Sequence, residues 1–239
     1  MSTLRPSLEL SYSNPAVGPA LDGLYAAFVR PGDLAIDVGA HVGDRIGSFR
    51  RLGARVVGVE PQPLCVRAIR ALYGDDDGVT LVEAACGASN GRVQLYVNST
   101  NPTVSTASSH FVRAADGADG WQDEVWDALL DVPSVTLDAL IARYGVPAFV
   151  KIDVEGFEDA VLAGLTHRPP ALSFEFTTIE RELGVRCLAR LTALGFTRFA
   201  VALGDDMTLP PQGWRSADEM AAHLRALPHE VNSGDIYCR

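Results

Sequence analysis

Phe149-Val150-Lys151-Ile152-Asp153-Val154-Glu155-Gly156-Phe157-Glu158 is the stretch on which the reading of this chain turns. Val150, Ile152 and Val154 interleave with Lys151, Asp153 and Glu155, the period-two pattern of a strand. Beyond it Phe157, Val161, Leu162 and Leu165 recur at helical spacing. A strand that passes through a turn into a helix is one step of a parallel βαβ unit. The three charged side chains would then emerge on one face near the carboxyl end, where ligands bind in open α/β sheets. Charges at that place are costly to bury unpaired. They read either as a mutual ion-pair cluster, joined by Glu175 of the next strand, or as chemistry. In the chemical reading Asp153 or Glu155 orients or deprotonates an acceptor, while Lys151 pairs with the carboxylates and fixes their geometry. Lys151 is also singular: the chain has 20 basic residues, and every other one is arginine.

Outward from this block, apolar runs of strand length cover 34–38, 56–59, 79–84 and 171–176. They are rich in Val, Ile, Leu and Phe without polar alternation, as strands covered on both faces require. Leu137, Leu140, Ile141 and Tyr144 repeat at helical spacing, and a further helix is read over about 178–194. Gly53, Gly74, Gly145 and Gly195 each follow a helix, where a left-handed closing residue is wanted. Two late strands are expected at 198–203 and 235–239, the second entered through a Ser233-Gly234 turn. Strand alternating with helix predicts an α/β fold, a parallel sheet with helices on both sides. Residues 98–134 break the pattern. This stretch is rich in Ser, Thr, Asn, Asp and Gly around Trp121 and Trp126, and it reads as a lid over the substrate with a short helix near 123–130. Residues 1–33 read as an N-terminal extension with a covering helix near 21–29, ahead of a domain over 34–239.

The 239 residues suit one large domain. With 47% hydrophobic and 21% charged residues the composition is globular. A net charge of −10 works against a nucleic-acid partner. No apolar run approaches the roughly 20 residues of a membrane span, and the opening stretch lacks the marks of a secretion signal, so a cytoplasmic location is expected. Cys65, Cys86, Cys187 and Cys238 form no C-x-x-C pair, which excludes a zinc ribbon and a disulfide scaffold and leaves buried thiols.

The first strand carries the second informative motif, Ile36-Asp37-Val38-Gly39-Ala40-His41-Val42-Gly43. Gly39 permits a sharp turn and Gly43 a close approach of the following helix. Glu60 closes the next strand, placed to accept hydrogen bonds from the ribose hydroxyls of an adenosine-containing cofactor. Nicotinamide dinucleotides want G-x-G-x-x-G facing a pyrophosphate. Here the spacing is G-x-x-x-G beside Asp37, a carboxylate that repels a pyrophosphate and suits the ammonium of S-adenosylmethionine. An NAD(P)-dependent oxidoreductase and a non-catalytic cofactor-binding assembly subunit stand as the alternatives.

These residues resemble the FkbM-type family of S-adenosylmethionine-dependent methyltransferases. The likeness rests on the Ile36–Gly43 motif, on Val57-Gly58-Val59-Glu60-Pro61 and on Val150-Lys151-Ile152-Asp153-Val154-Glu155-Gly156-Phe157-Glu158. Ser134-Val135-Thr136-Leu137-Asp138 and Gly234-Asp235-Ile236-Tyr237 are similar to it as well. The resemblance implies a class I, Rossmann-like three-layer sandwich. Its sheet would have seven mostly parallel strands in the order 3-2-1-4-5-7-6, with strand 7 antiparallel. It further implies methyl transfer, mostly onto oxygen, in natural products, sugars or glycans. On this likeness Asp37, Gly39, Ala40, His41 and Gly43 would shape the methionine end of the cofactor site. Glu60 and Pro61 would hold the ribose, Glu83, Ala84 and Ala85 would lie near adenine, and Asp153 would border the methyl group. Ser105, Ser108, Ser109 and His110 of the lid, with Glu175, would contact the acceptor; no metal is assigned. Two positions depart from the family pattern: His41 stands where Asn is usual, and Ile46 where a small hydroxyl residue is frequent.

Overall fold

A strand buried at every position must be covered from both sides, and Leu34–Val38 is such a strand. The computed structural model describes residues 4–204, 206–209 and 213–239. In chain order the helices are α1 (Arg5–Tyr12), α2 (Val17–Tyr25), α3 (Asp44–Arg51), α4 (Pro63–Tyr73), α5 (Ser109–Ala115), α6 (Leu137–Tyr144), α7 (Glu158–Ala163), α8 (Arg181–Ala193) and α9 (Ala217–Ala226). The strands are β1 (Leu34–Val38), β2 (Arg55–Val59), β3 (Val79–Val82), β4 (Ala85–Cys86), β5 (Gly91–Val97), β6 (Ala128–Val135), β7 (Phe149–Ile152), β8 (Ala171–Thr177), β9 (Phe199–Leu203) and β10 (Ser233–Cys238).

Seven strands form the main sheet in the order β3-β2-β1-β7-β8-β10-β9. All neighbours are parallel except β10, which runs antiparallel to both β8 and β9. With the three strands of a smaller sheet set aside, this is the expected order 3-2-1-4-5-7-6 with its seventh strand reversed. The chain leaves β1 toward β2 on one side and returns as β7 on the other, so a crevice opens at the carboxyl ends of β1 and β7.

Period-two alternation divides the core. Leu34, Ile36 and Val38 join Val150, Ile152, Leu172 and Phe174 against residues of α6, α7, α8 and α9. Ala35, Phe149, Ala171 and Tyr237 join Leu21, Leu24 and Tyr25 of α2 and Ile46 and Phe49 of α3. On this second face the small Ala35, Ala171 and Ala202 flank two rings of the sheet itself, Phe149 and Tyr237. Phe149 packs within 6.3 Å, centroid to centroid, of Tyr25, Phe28, Phe49 and Tyr237. Ile46 lies over Gly58, where an added Cβ would stand 2.7 Å from its Cδ1. Core packing is therefore what this departure from the family pattern serves.

Several sequence expectations need correction. The segment 98–134 holds no helix at 123–130; its helix is α5, and its end is strand β6, which runs on to Val135. Leu130 and Val132 of β6 alternate inward against Val93 and Leu95 of β5, which the sequence reading passed over, and the two strands pair antiparallel. Together with β4 they make a second sheet of three strands. The tryptophans are tied down within the segment's own small core: Phe111 meets both Trp121 and Trp126 edge to face at 5.1 and 6.2 Å. Gly74 has φ −62°, so it ends α4 without a left-handed turn. Ser233-Gly234 lies inside β10 rather than in a turn before it. The N-terminal helix is α2, ending at Tyr25, and α1 precedes it; residues 1–3 of the extension lie outside the described residues.

The turn after β1 depends on Gly39. Its φ is +81°, and an added Cβ would stand 1.7 Å from the carbonyl oxygen of Asp153. Gly39→Ala therefore faces both left-handed strain and a backbone collision that no side-chain movement relieves. It should cost about 3 kcal/mol and lower the thermal midpoint by roughly 6–12 °C. Gly23→Ala, in α2 with nothing within 4 Å of the new methyl, should be neutral or raise stability by up to about 1 kcal/mol. Thermal unfolding of the two variants side by side checks this, and equal midpoints would remove the assigned role of Gly39.

Candidate active site

Beyond Val38 the backbone makes three left-handed residues in close succession: Gly39, His41 at φ +48° and Gly43 at φ +84°. Histidine shares with asparagine an enhanced tolerance of this region, which lets His41 stand where the family has Asn. The amides of Gly39 and Ala40 both donate to the carbonyl of Val59, at 2.9 and 3.1 Å, tying the turn to the end of β2. Glu60 follows at once. Its Oε2 accepts from the His41 amide and its Oε1 from the Gln62 amide, each at 2.8 Å. One acceptor position on each oxygen remains for a ligand. Burial pushes the Glu60 carboxyl up to about 7, against the pull of those two amides. Asp37 is 1% exposed, and its Oδ2 has no hydrogen-bond partner. Burial lifts it to about 7 as well, with the Arg45 guanidinium opposing. An orphaned buried oxygen of this kind calls for a ligand donor.

β7 ends at Ile152, so the strand does not continue through Glu155 as its alternation suggested. Glu155 has φ +54° and Gly156 φ +82°, and the turn they form swings the carboxylates together. Asp153, Glu155 and Glu175 bring one oxygen each to within 4.8 Å of one another. Lys151 is fully buried. Its ammonium donates to Asp153 Oδ2 at 3.1 Å and to Asp235 Oδ1 at 2.6 Å. Burial works to lower its pKa, but the carboxylates of Asp153 and Asp235 outweigh it and hold the amine charged. For Asp153 burial is likewise overcome, by Lys151 and Arg45, and its pKa falls. Burial and the neighbouring carboxylates push Glu155 and Glu175 well up. Asp235 was not foreseen as the second partner of Lys151, because only the register of β10 on β8 sets it opposite Glu175.

Two connected spaces open here. A narrow slot of about 50 Å³ runs past Glu60, Pro61, Gln62, Ala84 and Ala85, with Leu95 and Phe157 as apolar walls and Thr103, Ser105 and Thr106 across it. A chamber of about 740 Å³ has Asp37, Asp44, Arg45, Lys151, Asp153, Glu155 and Glu175 in its walls. Pro6, Ser7 and Ser11 of α1, Ala20 of α2 and Met207 line it too. Gly39, His41, Thr103, Asp153 and Glu155 border both spaces.

Other residues singled out from sequence lie elsewhere. Ala40 is buried in the core beside Ile46, Gly43 sits under the Tyr73 ring and Glu83 pairs with Arg70 at the surface; none of the three lines either space. Ser108 caps α5 by accepting from the Phe111 amide at 3.0 Å, and His110 bonds to Glu180. Neither they nor Ser109 border the slot or the chamber. Arg45, Gln62, Thr103 and Thr106 were missed. Arg45 follows the glycine turn directly and could have been read as its counter-charge; the others have no signal beyond a polar loop.

The slot and the turn fit S-adenosylmethionine: an apolar-walled space with a ribose acceptor at Glu60 leads to the orphaned carboxylate of Asp37. Among the described residues that line it, the same wall answers its carboxylates with Arg45 and Lys151, which disfavours a pyrophosphate and counts against the dinucleotide alternative. Among solved structures the chain is similar to fibrillarin from Aeropyrum pernix in complex with S-adenosyl-L-methionine. The two share 13% identity over 96% of this chain and 76% of that one, with a TM-score of 0.50, a likeness of fold. It is also similar to a precorrin-6y C5,15-methyltransferase from Geobacter metallireducens, at 13% identity over 94% and 87% of the two chains, with a TM-score of 0.47. No curated protein matches the sequence closely. Residues 37–202 match the methyltransferase FkbM domain, a span that takes in the glycine turn, Glu60 and the whole Lys151–Glu158 block. The chain belongs to the FkbM family of S-adenosylmethionine-dependent methyltransferases.

Proposed function

We propose that the protein methylates a hydroxyl oxygen of a small-molecule natural product, a sugar or a glycan. The observation that carries this reading is the large chamber joined to the cofactor slot at Asp153 and Glu155. Bound S-adenosylmethionine supplies an electrophilic methyl group on a sulfonium and leaves as a neutral thioether. The work of the chain is then to align the acceptor, exclude water and take one proton. Glu60, Pro61, Ala84 and Ala85 hold the adenosine; Asp37, Gly39 and His41 receive the methionine end. Glu155 is the base. It makes no hydrogen bond among the described residues, it borders both spaces, and its environment raises its proton affinity. Asp153, tied to Lys151, orients the acceptor beside it, and Glu175 lines the acceptor's chamber. A net charge of −10 supports a small acceptor over a nucleic acid. Four free, buried cysteines support a reducing, cytoplasmic setting.

Two measurements test these roles. Glu155→Gln should lower turnover by about 10²–10⁴-fold while S-adenosylmethionine affinity stays within about threefold, and Asp153→Asn should weaken both. Turnover on an acceptor found by screening hydroxylated compounds, set against calorimetric affinity, reads the split. Full turnover in both variants removes the base assignment.

The cofactor site should also respond to pH. Asp37 and Glu60 titrate near 7 in the free protein, above their ordinary values, so the folded state holds protons that the unfolded chain has released. Their contribution to stability is full below about pH 4 and is lost as pH rises to about 7. A cationic cofactor favours their ionised forms, so affinity should fall below pH 7 by up to about tenfold per pH unit for each of the two groups. Glu60→Gln should bind more weakly at pH 8 and show a shallower slope. A flat affinity between pH 5.5 and 8 would contradict the placement of both carboxylates.

A further inference from the structure

The acidic end of the chamber gathers more carboxyl groups than the nearby bases pair with. Asp153 and Glu155, from the turn after β7, and Glu175, near the end of β8, converge on one point, with an oxygen of each inside a common span of 4.8 Å. Of the three, Lys151 touches only Asp153, and it divides its charge with Asp235. Two observations beyond the cluster itself point to a missing partner. Glu155 is 8% exposed, faces the chamber and has no hydrogen-bond partner among the described residues. Glu175 Oε2 is buried without one.

We propose that Asp153, Glu155 and Glu175 bind one divalent metal ion at the base of the chamber, and that this ion holds the acceptor through its oxygens. Three carboxylates with no nitrogen or sulfur donor select a hard cation such as Ca²⁺, Mn²⁺ or Mg²⁺. Three oxygens gathered inside a span of 4.8 Å can close on one ion at the roughly 2.3–2.6 Å bonds of Ca²⁺ or, with further contraction, on a smaller ion. A cation with six or more ligands keeps positions free after taking three from the protein, and these face the chamber. An acceptor with two adjacent oxygens, such as a vicinal diol or a hydroxyketone, would fill them. Each carboxylate gives the ion one oxygen, and the ion lowers the pKa of a hydroxyl bound to it. The role of the ion in holding an acceptor rests on the hydroxyl reading above; its binding does not.

Titration of the full chain with Mn²⁺, followed by electron paramagnetic resonance of the free ion, tests the site. One Mn²⁺ per chain is expected, displaced by Ca²⁺ and retained when S-adenosylhomocysteine saturates the slot. Glu175→Gln should weaken binding by at least about tenfold, and Glu155→Gln with Glu175→Gln should abolish it. Glu182→Gln, at the exposed pair with Arg225, should change nothing. Absence of stoichiometric binding, or binding that survives the double substitution, overturns the proposal. So does displacement of the ion by S-adenosylhomocysteine, since the carboxylates would then serve the cofactor. Calorimetry of S-adenosylhomocysteine on the same samples reads the cofactor site independently, so a failure there falls on the cofactor reading and not on the metal.

Discussion

The ammonium of Lys151 is the charge around which the site is organised. It lies in the centre of the sheet with no exposure and spans from Asp153, on the turn after β7, to Asp235 on β10. An ion buried this deeply is tolerated only when its partners are close and oriented. That requirement fixes the direction of Asp153, and through it the start of the turn that carries Glu155. The Asp153 amide donates to the Val38 carbonyl at 2.9 Å, and the Asp153 carbonyl presses on Gly39. The turn after β1 and the turn after β7 are thus locked face to face by backbone contacts, with one lysine beneath them.

This locking explains why carboxylates of different character sit side by side. Asp153 is held ionised by its basic neighbours, whereas Glu155 and Glu175, a few ångströms away, are driven toward protonation by burial and by one another. Environments that separate the proton affinities of adjacent groups suit them to separate tasks. The roof is built differently. Leu4 of the N-terminal segment packs with Val42 and Cys65, and Tyr12 donates to the Val42 carbonyl at 3.0 Å, so α1 is anchored to the cofactor turn. The segment 98–134 is pinned in its own way. Asn98 is fully buried: its Oδ1 accepts from the amides of Thr100 and Asn101, and its Nδ2 donates to Glu124. The chamber is therefore roofed by segments outside the central sheet, where loops can vary without disturbing the core.

Much of the fold was legible because covered strands and amphipathic helices leave strong periodic marks. β1, β2, β7, β8 and β9 fall where the apolar runs lie, within one or two residues. β5 and β6 were missed for a physical reason. Their sheet is small and open to solvent, so Arg92, Gln94 and Asp131 interrupt the apolar residues, and Arg92 and Asp131 pair on the outer side where a turn-rich loop would show the same composition. The glycine turn, Glu60 and the Lys151–Glu155 block were legible as a site, since buried charge in a strand is expensive and demands a use. Ser108 and His110 were legible only as polar loop residues, and what they do locally is cap a helix and bond to Glu180.

By itself the amino-acid sequence determined the α/β class, the strand order implied by the family pattern, and the placement of acids at the mouth of the first strand. These follow from local periodicity and from motifs confined to a few consecutive residues. Only the tertiary structure decided that Asp235 answers Lys151, that the cluster with Glu175 turns on a bend after Ile152 rather than on a continued strand, and that α1 and α2 roof the chamber. Asp235 stands 84 residues from Lys151 along the chain. Such pairs are set by which strands become neighbours and in what register, and that depends on how the whole core packs rather than on any stretch of sequence read alone.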